Sequence, residues 1–465
     1  MADNFVCLLE NTARLNPDKT ALVWESGSLT YSELDRRACG FASNLAKRGI
    51  KSGDRVGILL PNRWTFVVAL LGSLKLGATV APVSVFLKDQ ERAEILAALK
   101  PKEVVQEIRS GVGHWETPTQ TESPALVTYS SGSSGHPKGA VFTHEALSFA
   151  EHSWAGPVMA LTPEDVVLAV LPFPHSFGLH GGLLAPLLVG ATVAIVERFS
   201  PETVLETIAT HRVTVFPGVA TMFQRTLSSP AFGGTDLSSL RLAVSGAAPC
   251  PWELAKEWRA RAGTRILRGY GMTELFRPIS HLAEDPTDVP EAIGRPVPGV
   301  DVRLVDDDGQ PVPGGQIGEL LIKSPAAMEE YLNDPKETNA VLQDGWFKTG
   351  DLAILLPSGF IQIAGRKEER ILRGGYSVFP QEVEAVLLSH PAIAEASVIG
   401  VPSPDLGEEI AAFVSLRSEA KTTLEELDTH CREHLAAFKY PRLITILKSL
   451  PKGPTGKIIK SLLGK

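Results

Sequence analysis

Apolar positions along the chain fall into two rhythms, one every 3.6 residues and one in short continuous runs, and the two alternate. Residues 4–15 carry the first rhythm and read as a short amphipathic helix that stops before Pro17. An apolar run at 21–24, a turn at Gly27 and a new helical stretch follow. Thr30 or Ser32 caps that helix, and Leu34, Cys39, Phe41, Leu45 and Ala46 give it a buried side. Strand 55–60 leads to a helix at 63–76 and a strand at 78–83, the order expected of a parallel α/β sheet. Residues 88–121 are polar and weakly periodic, and read as one helix, 89–99, and a loop.

An apolar strand at 125–127 and a helix at 144–151 come next. A second α/β unit then takes shape: a strand running to His175, strand 191–196, helix 201–210, strand 213–218, helix 221–227, strand 241–246 and a last strand, 264–271. From Gly294 the pattern changes to short strands with D-G, P-G and G-G turns, closing with IQIAGR at 361–366. Helix 380–388, strands 396–401 and 410–416, helix 423–435 and a final strand suffice for a small separate domain. The predicted class is α/β. A large N-terminal domain, 1–365, holds two α/β subdomains and a small β-rich one at about 290–365. A small α+β domain, 371–465, follows it.

Length and composition narrow the function. The chain has 465 residues, enough for about three domain-sized units, with 44% hydrophobic and 21% charged residues as in soluble globular proteins. A formal net charge of −8 argues against nucleic-acid or anionic-membrane binding. Cys7, Cys39, Cys250 and Cys431 are scattered with no C-x-x-C, which suggests reduced thiols in a cytoplasmic protein. Asp3 stands where a secretion signal would carry a basic residue. The uncharged stretch 166–196 is broken by Pro172, Pro174, Pro186 and several glycines, so no transmembrane segment is expected.

One stretch asks for chemistry: YSSGSSGHPKG at 129–139. Its glycines allow close backbone approach to a ligand, and Ser130, Ser131, Ser133, Ser134 and Lys138 can bind phosphate oxygens. It is not the G-x-x-x-x-G-K-[ST] loop of nucleotide hydrolases. A flexible linker is the bland alternative, and linkers rarely end in a defined Pro-Lys-Gly.

With GYGMTE at 269–274, TGD at 349–351, GRKEER…GG at 365–375 and PTGK at 454–457, in that order, the chain resembles the adenylate-forming superfamily. That superfamily comprises acyl-CoA synthetases, peptide-synthetase adenylation domains and luciferases. The likeness runs from about Leu29 to the C-terminus and is greatest to the acyl-CoA synthetases. It implies an ATP-dependent carboxylic acid–CoA ligase that needs ATP, Mg²⁺ and coenzyme A. The acid attacks the α-phosphate to give acyl-adenylate and pyrophosphate, and a thiol then displaces AMP. Neither step needs a side-chain nucleophile; both need cations and hydrogen-bond donors at developing charge.

The resemblance assigns roles by position. Ser130, Ser131, Gly132, Ser133, Ser134, Gly135 and Lys138 form the phosphate loop. Gly246, Ala247 and Ala248 make the adenine-pocket turn, and Tyr270, followed by Gly271, stacks on adenine. Thr273 bonds the α-phosphate and Glu274 holds Mg²⁺. Asp351 takes the ribose hydroxyls with Arg366 beside it, and Lys457 is the catalytic lysine. Lys460 and Lys465, by contrast, read as solvated tail lysines. His175, in PFPHSFG, lies beside the incoming carboxylate. Gly374 and Gly375 flank the pantetheine tunnel, and residues 366–370 are the hinge of a mobile C-terminal domain, centred on Glu368.

Departures from the pattern are Ser134 for threonine, Glu330 for glycine before Tyr331, Glu368 for aspartate or lysine at the hinge, and a short stretch at 83–129. The last reads as a trimmed edge of the first subdomain. Pro172, Phe173 and Pro174 stand where peptide-synthetase domains hold an α-ammonium, which points to an acid without an α-amino group. Phe177, His180, Val219, Leu275 and Phe276 form a mostly apolar candidate pocket, so an aliphatic or aromatic monoacid is expected. Arg277 reads as facing solvent, the alternative being a contact with the second carboxylate of a diacid. Alternatives also open are a stand-alone enzyme loading a carrier-protein thiol, a non-catalytic ATP-binding relative, and a luciferase-type oxidase. Monomer and homodimer are both open.

Overall fold

The computed structural model describes residues 4–108, 111–120, 123–130, 137–286, 289–417, 420–452 and 458–464. Its contacts divide the chain into two units: 1–302 with 322–347, and 303–321 with 348–465.

The first unit is built on two mostly parallel sheets. In the seven-stranded one, Ile266–Leu267, Leu242–Ser245, Val215–Gly218, Val166–Ala169, Thr192–Ile195 and Thr20–Trp24 lie side by side, with Gly27–Thr30 antiparallel at the edge. The six-stranded sheet runs Glu330–Tyr331, Lys138–Thr143, Pro124–Ser130, Thr79–Pro82, Arg55–Ile58, Glu103–Val105. Apolar runs buried on both faces make these strands, as parallel sheets require. Leu168, Ala194, Val204, Ile208, Phe216, Phe223 and Trp258 pack one core between the first sheet and its helices.

Local signals set the helix starts. Thr30 caps Tyr31–Lys47 in a capping box: its Oγ1 accepts from Glu33 N–H at 3.2 Å, and Glu33 Oε2 accepts from Thr30 N–H at 2.9 Å. Lys75, at the end of Trp64–Lys75, is 3% exposed and pairs with Asp35 at 2.8 Å and with Glu10, tying three helices together.

Among the strands that lie where none is predicted are two of the six-stranded sheet. Glu103–Val105 extends the six-stranded sheet, and Lys138–Thr143 returns antiparallel beside Pro124–Ser130, with Ser130 opposite Lys138. The segment 131–137 therefore joins two antiparallel strands. The strand expected at 264–271 is broken: Ile266–Leu267 ends in the parallel sheet, and Gly269–Met272 starts a separate three-stranded sheet with Phe276–Ser280 and Arg295–Pro296. Arg268 lies at the break, with its guanidinium donating to Val289 O and Pro290 O, both at 2.6 Å.

Strand Trp346–Leu355, which belongs to the second unit from Lys348 on, forms a hairpin with Ile361–Arg366. A second sheet follows, in which Ile371–Arg373, Tyr376–Val378, Ile393–Ser403, Gly407–Leu416 and Leu443–Leu447 pack on helices Pro380–Ser389 and Leu424–His434. Ile371, Val383, Leu387, Ile393, Val398, Ile410 and Leu427 form a core of their own there. Among the described residues, no helix is long and apolar enough to cross a membrane.

Candidate active site

Parallel strands of the seven-stranded sheet release their chains at one edge, the usual ligand edge of an open α/β sheet. His175 follows Val166–Ala169, Val219 follows Val215–Gly218, Gly246 follows Leu242–Ser245, and Tyr270 follows Ile266–Leu267; these four strands are neighbours. Candidate residues separated by almost a hundred positions thus leave the sheet on the same side. Ala247 takes φ +63°, so the Gly246–Ala248 turn bends sharply even without a glycine at 247.

Residues 270–277 form a compact turn between antiparallel strands, with Met272 opposite Phe276. Phe276 has φ +56°, and a Cβ on Gly271 would lie 2.0 Å from the Phe276 carbonyl oxygen, so only glycine fits at 271. Thr273 is half-buried and Glu274 buried. Glu274 Oε1 accepts from the Tyr331 hydroxyl at 2.8 Å and from Ser130 Oγ at 3.4 Å. Met328 N–H holds the Glu274 carbonyl at 2.9 Å. Glu274 Oε2 has no hydrogen-bond partner among the described residues. A carboxylate with one oxygen anchored and the other open fits a hard cation such as Mg²⁺.

Tyr331 is a site residue that sequence reasoning missed. It lies 57 positions from Glu274 on a two-residue edge strand, where no local pattern marks it. Burial, then the Glu274 charge, pushes its phenol pKa far above the ordinary value, so it stays a hydrogen-bond donor. Glu330 beside it is exposed and pairs only through its backbone with Val141, which accounts for the tolerated departure from glycine. Lys138 pairs with Glu337 at 2.5 Å and sits 5.4 Å from the centre of the Tyr331 ring. Ser131, Gly132, Ser133, Ser134 and Gly135 lie outside the described residues, so only the two ends of the phosphate loop are seen.

Beside this turn stands an aromatic wall. Helix His144–Ser153 opens into a π-helical turn, Trp154–Val158, and helix Ser176–Leu179 opens into another, His180–Leu184. Such turns are frequent at functional sites because the extra residue re-aims side chains. Trp154 stacks on Phe177 at 5.4 Å, and a Cβ on Gly181 would lie 3.0 Å from the Trp154 ring. His180 packs on Phe276 at 4.0 Å and pairs with Glu151, both fully buried. Burial pushes the Glu151 carboxyl above its ordinary range, against the pull of His180. Leu275 is buried, and Val219 half-buried at the start of helix Ala220–Leu227. Trp154 and Glu151 carried no motif and were not singled out from sequence.

His175 caps Ser176–Leu179, its Nδ1 accepting from Phe177 N–H at 3.2 Å. Its ring is solvent-exposed, yet desolvation by the surrounding protein, and then His180, lower its pKa, as for a group in a cleft. Arg277 corrects the expectation of a surface residue. It is 6% exposed, with Nε donating to Ser280 Oγ at 2.9 Å and Nη1 to Ser245 O at 2.9 Å.

The second unit carries the remaining candidates. Asp351 faces Arg366 across the hairpin, with Oδ1 2.8 Å from Nε. Thr349 Oγ1 accepts from Asp351 N–H at 3.0 Å and donates to Leu320 O at 2.7 Å, which fixes the T-G-D turn. Gly374 and Gly375, at φ +56° and +83°, form the two-residue loop of the hairpin between Arg373 and Tyr376, a turn that needs positive φ twice. Lys457 lies outside the described residues. Lys460 is no solvated tail lysine: it pairs with Glu369 at 2.7 Å and Glu384 at 3.0 Å.

Comparison with known proteins identifies the family. The model of the AMP-binding enzyme family matches residues 9–116 and 110–332, and that of the AMP-binding enzyme C-terminal domain matches 382–457. A feruloyl-CoA synthase of Amycolatopsis sp is 34% identical, over 96% of this chain and 96% of its own length. The crystal structure of the anthranilate CoA ligase AuaEII with anthranoyl-AMP superposes with a TM-score of 0.91 at 30% identity, covering 98% of this chain and 95% of that one. The o-succinylbenzoate CoA synthetase of Bacillus subtilis with ATP and magnesium gives 0.89 at 30% identity, covering 100% and 99%. Matched along nearly its whole length by these enzymes and by both family models, the chain belongs to the AMP-binding, adenylate-forming enzymes, and within them to the acyl-CoA synthetases.

Proposed function

We propose that the chain is an ATP-dependent acid–CoA ligase whose two half-reactions are served by the residues of the two units. One observation carries the reading: within residues 270–277 the chain supplies in turn a ring for adenine, a hydroxyl for the α-phosphate, a carboxylate for Mg²⁺ and a wall for the acid. That order sets the acid's carboxylate beside the α-phosphate, the proximity a bimolecular displacement needs. The carboxylate oxygen bonds to the α-phosphorus as pyrophosphate leaves; the CoA thiolate then bonds to the acyl carbon as AMP leaves. Lys138 and Thr273 bind phosphate oxygens, Asp351 and Arg366 the ribose, and His175 lies at the mouth of the acid pocket. Mg²⁺, when bound at Glu274, neutralises phosphate charge. Lys457 stabilises charge in the first step, and Gly374 and Gly375 border the thiol's path in the second.

The domain organisation is part of the proposal: 1–365, a hinge at 366–370 around Glu368, and a mobile domain at 371–465. The separate core of the last stretch supports it. The rings of Trp154, Phe177 and Phe276 suit a small aromatic or aliphatic acid, in keeping with relatives named for ferulate and anthranilate. Four free cysteines, two of them buried, accord with a cytoplasmic protein.

A screen of carboxylic acids by pyrophosphate release, with and without CoA, tests the reading. Acid-dependent release with acyl-CoA as product is expected; acylation of a phosphopantetheinylated carrier protein, with free CoA idle, contradicts it. Tyr331→Phe keeps the ring and removes the donor to Glu274. A lost partner of a metal ligand costs about 10–100-fold in metal affinity or activity. The variant is therefore expected to need about 10-fold more Mg²⁺ for half-maximal adenylation, read from Mg²⁺ titrations at saturating ATP. An unchanged titration removes Tyr331 from the site.

A further inference from the structure

The aromatic wall holds a charge that nothing else described in the chain neutralises. Arg277 is buried, and its guanidinium is held by neutral oxygens alone: Ser280 Oγ, Ser245 O and, at 3.4 Å, Leu267 O. Glu151, the buried acid of the same wall, is committed to His180. Burial lowers the Arg277 pKa to about 9, with no acidic group working the other way. A guanidinium has five N–H donors, so two remain unused.

Room for it is made by two glycines of the site motifs. A Cβ on Gly269 would lie 2.4 Å from Arg277 Cζ, and one on Gly246 would lie 3.1 Å both from Arg277 Nη1 and from Phe177. The head group is therefore lodged between the adenine turn and the pocket aromatics, with Cζ 5.0 Å from the centre of the Trp154 ring. Trp154 Nε1, also buried, has no acceptor among the described residues. Carbonyl oxygens at strand ends could be capped by a neutral amide without burying a charge. Burying a cation without a counter-charge is strongly unfavourable. A buried cation with spare donors beside the Trp154 and Phe177 rings calls for an anion delivered with the substrate.

We propose that Arg277 is the specificity-determining residue of the acid pocket, and that the acids taken carry a second carboxylate seated on its guanidinium. This rests on the reading of the Trp154–Phe177–Phe276 wall as the acid pocket. The body of the acid packs on the rings, its far carboxylate meets Arg277, and the near one is activated beside Thr273 and Glu274.

The test is pyrophosphate release with matched pairs, each a dicarboxylic acid and its monomethyl ester, in aliphatic and aromatic series. Wild-type enzyme is expected to favour the best diacid over its ester by about 10²-fold in kcat/KM, the scale of a buried charge pair losing one member. Arg277→Gln should remove that preference, chiefly through a raised KM for the diacid, with a much smaller loss for the ester. Arg277→Lys should keep part of the preference. Equal losses for diacid and ester in Arg277→Gln would make the residue a strut between strands and overturn the proposal. So would a wild-type enzyme that turns over esters and simple monoacids with no diacid preference, an outcome that leaves the ligase reading intact. If Arg277→Gln does not fold, the wild-type pairs and Arg277→Lys decide. Absence of pyrophosphate release with every acid would instead overturn the ligase reading and this inference with it.

Discussion

Glu368→Pro is expected to leave single-turnover adenylation near wild type and to slow thioester formation from bound acyl-adenylate by about 10³-fold, as obstruction of a required conformational step does. On the proposed reading, Lys457 serves the acid in one step and Gly374 and Gly375 border the thiol's path in the other, which is the reason for proposing a C-terminal domain that moves. The residues around 368 divide their attachments. Lys367 pairs with Glu319 at 2.7 Å and Asp307 at 3.0 Å, whereas Glu369 pairs with Lys460 near the C-terminus. Glu368 stands between the two sets of anchors. It lies in two overlapping turns, as the third residue of the one closed by Glu369 N–H to Arg366 O at 3.2 Å and the second of the one closed by Arg370 N–H to Lys367 O at 3.4 Å; proline is favoured only in the latter position. Proline there fixes φ near about −65° and restricts Lys367 before it. A hinge works through a few residues that absorb large φ/ψ changes, which is the freedom proline removes. Quenched-flow measurement of the two half-reactions checks this. Wild-type rates in both place the pivot elsewhere.

Lys457→Ala is expected to cost about 10²–10³-fold in acyl-adenylate formation, the scale of losing one donor to an oxyanion. Thioester formation from supplied acyl-adenylate should survive, because the transition state at the α-phosphate, where the lysine is proposed to act, has by then been passed. Both flanks of its segment are secured: Lys452 bridges to Ile458, Ile459 N–H donates to Pro451 O at 2.9 Å, and Lys460 is ion-paired. A lysine presented from such a base can be positioned, which a free tail lysine cannot. Equal losses in the two steps would give Lys457 a structural or shared role.

Much of the fold was legible because buried parallel strands and amphipathic helices write their period into the chain. The helix at Asp89–Leu99 and the Thr30 cap are read directly from it. Glu103–Val105 escaped because three residues with a glutamate show no period. Lys138–Thr143 escaped because its first residues belong to a motif that reads as loop. Motif residues were legible as chemistry, whereas the residues that hold them were not. Tyr331 reaches Glu274, and Trp154 reaches Phe177 and Arg277, only through tertiary packing. Arg277 was misread for the same reason. An arginine on a short strand looks solvated until the space left by Gly246 and Gly269 is seen.

The central claim is that the acid's own oxygen attacks the α-phosphate, and one isotope measurement tests it. With a carboxylic acid labelled by ¹⁸O in both carboxyl oxygens, turnover with ATP, Mg²⁺ and CoA is followed by mass spectrometry of the products. The bridging oxygen of the acyl-adenylate comes from the acid and leaves with the nucleotide, so AMP should carry one ¹⁸O and pyrophosphate none. AMP free of label, or ADP and phosphate in place of AMP and pyrophosphate, would contradict the account.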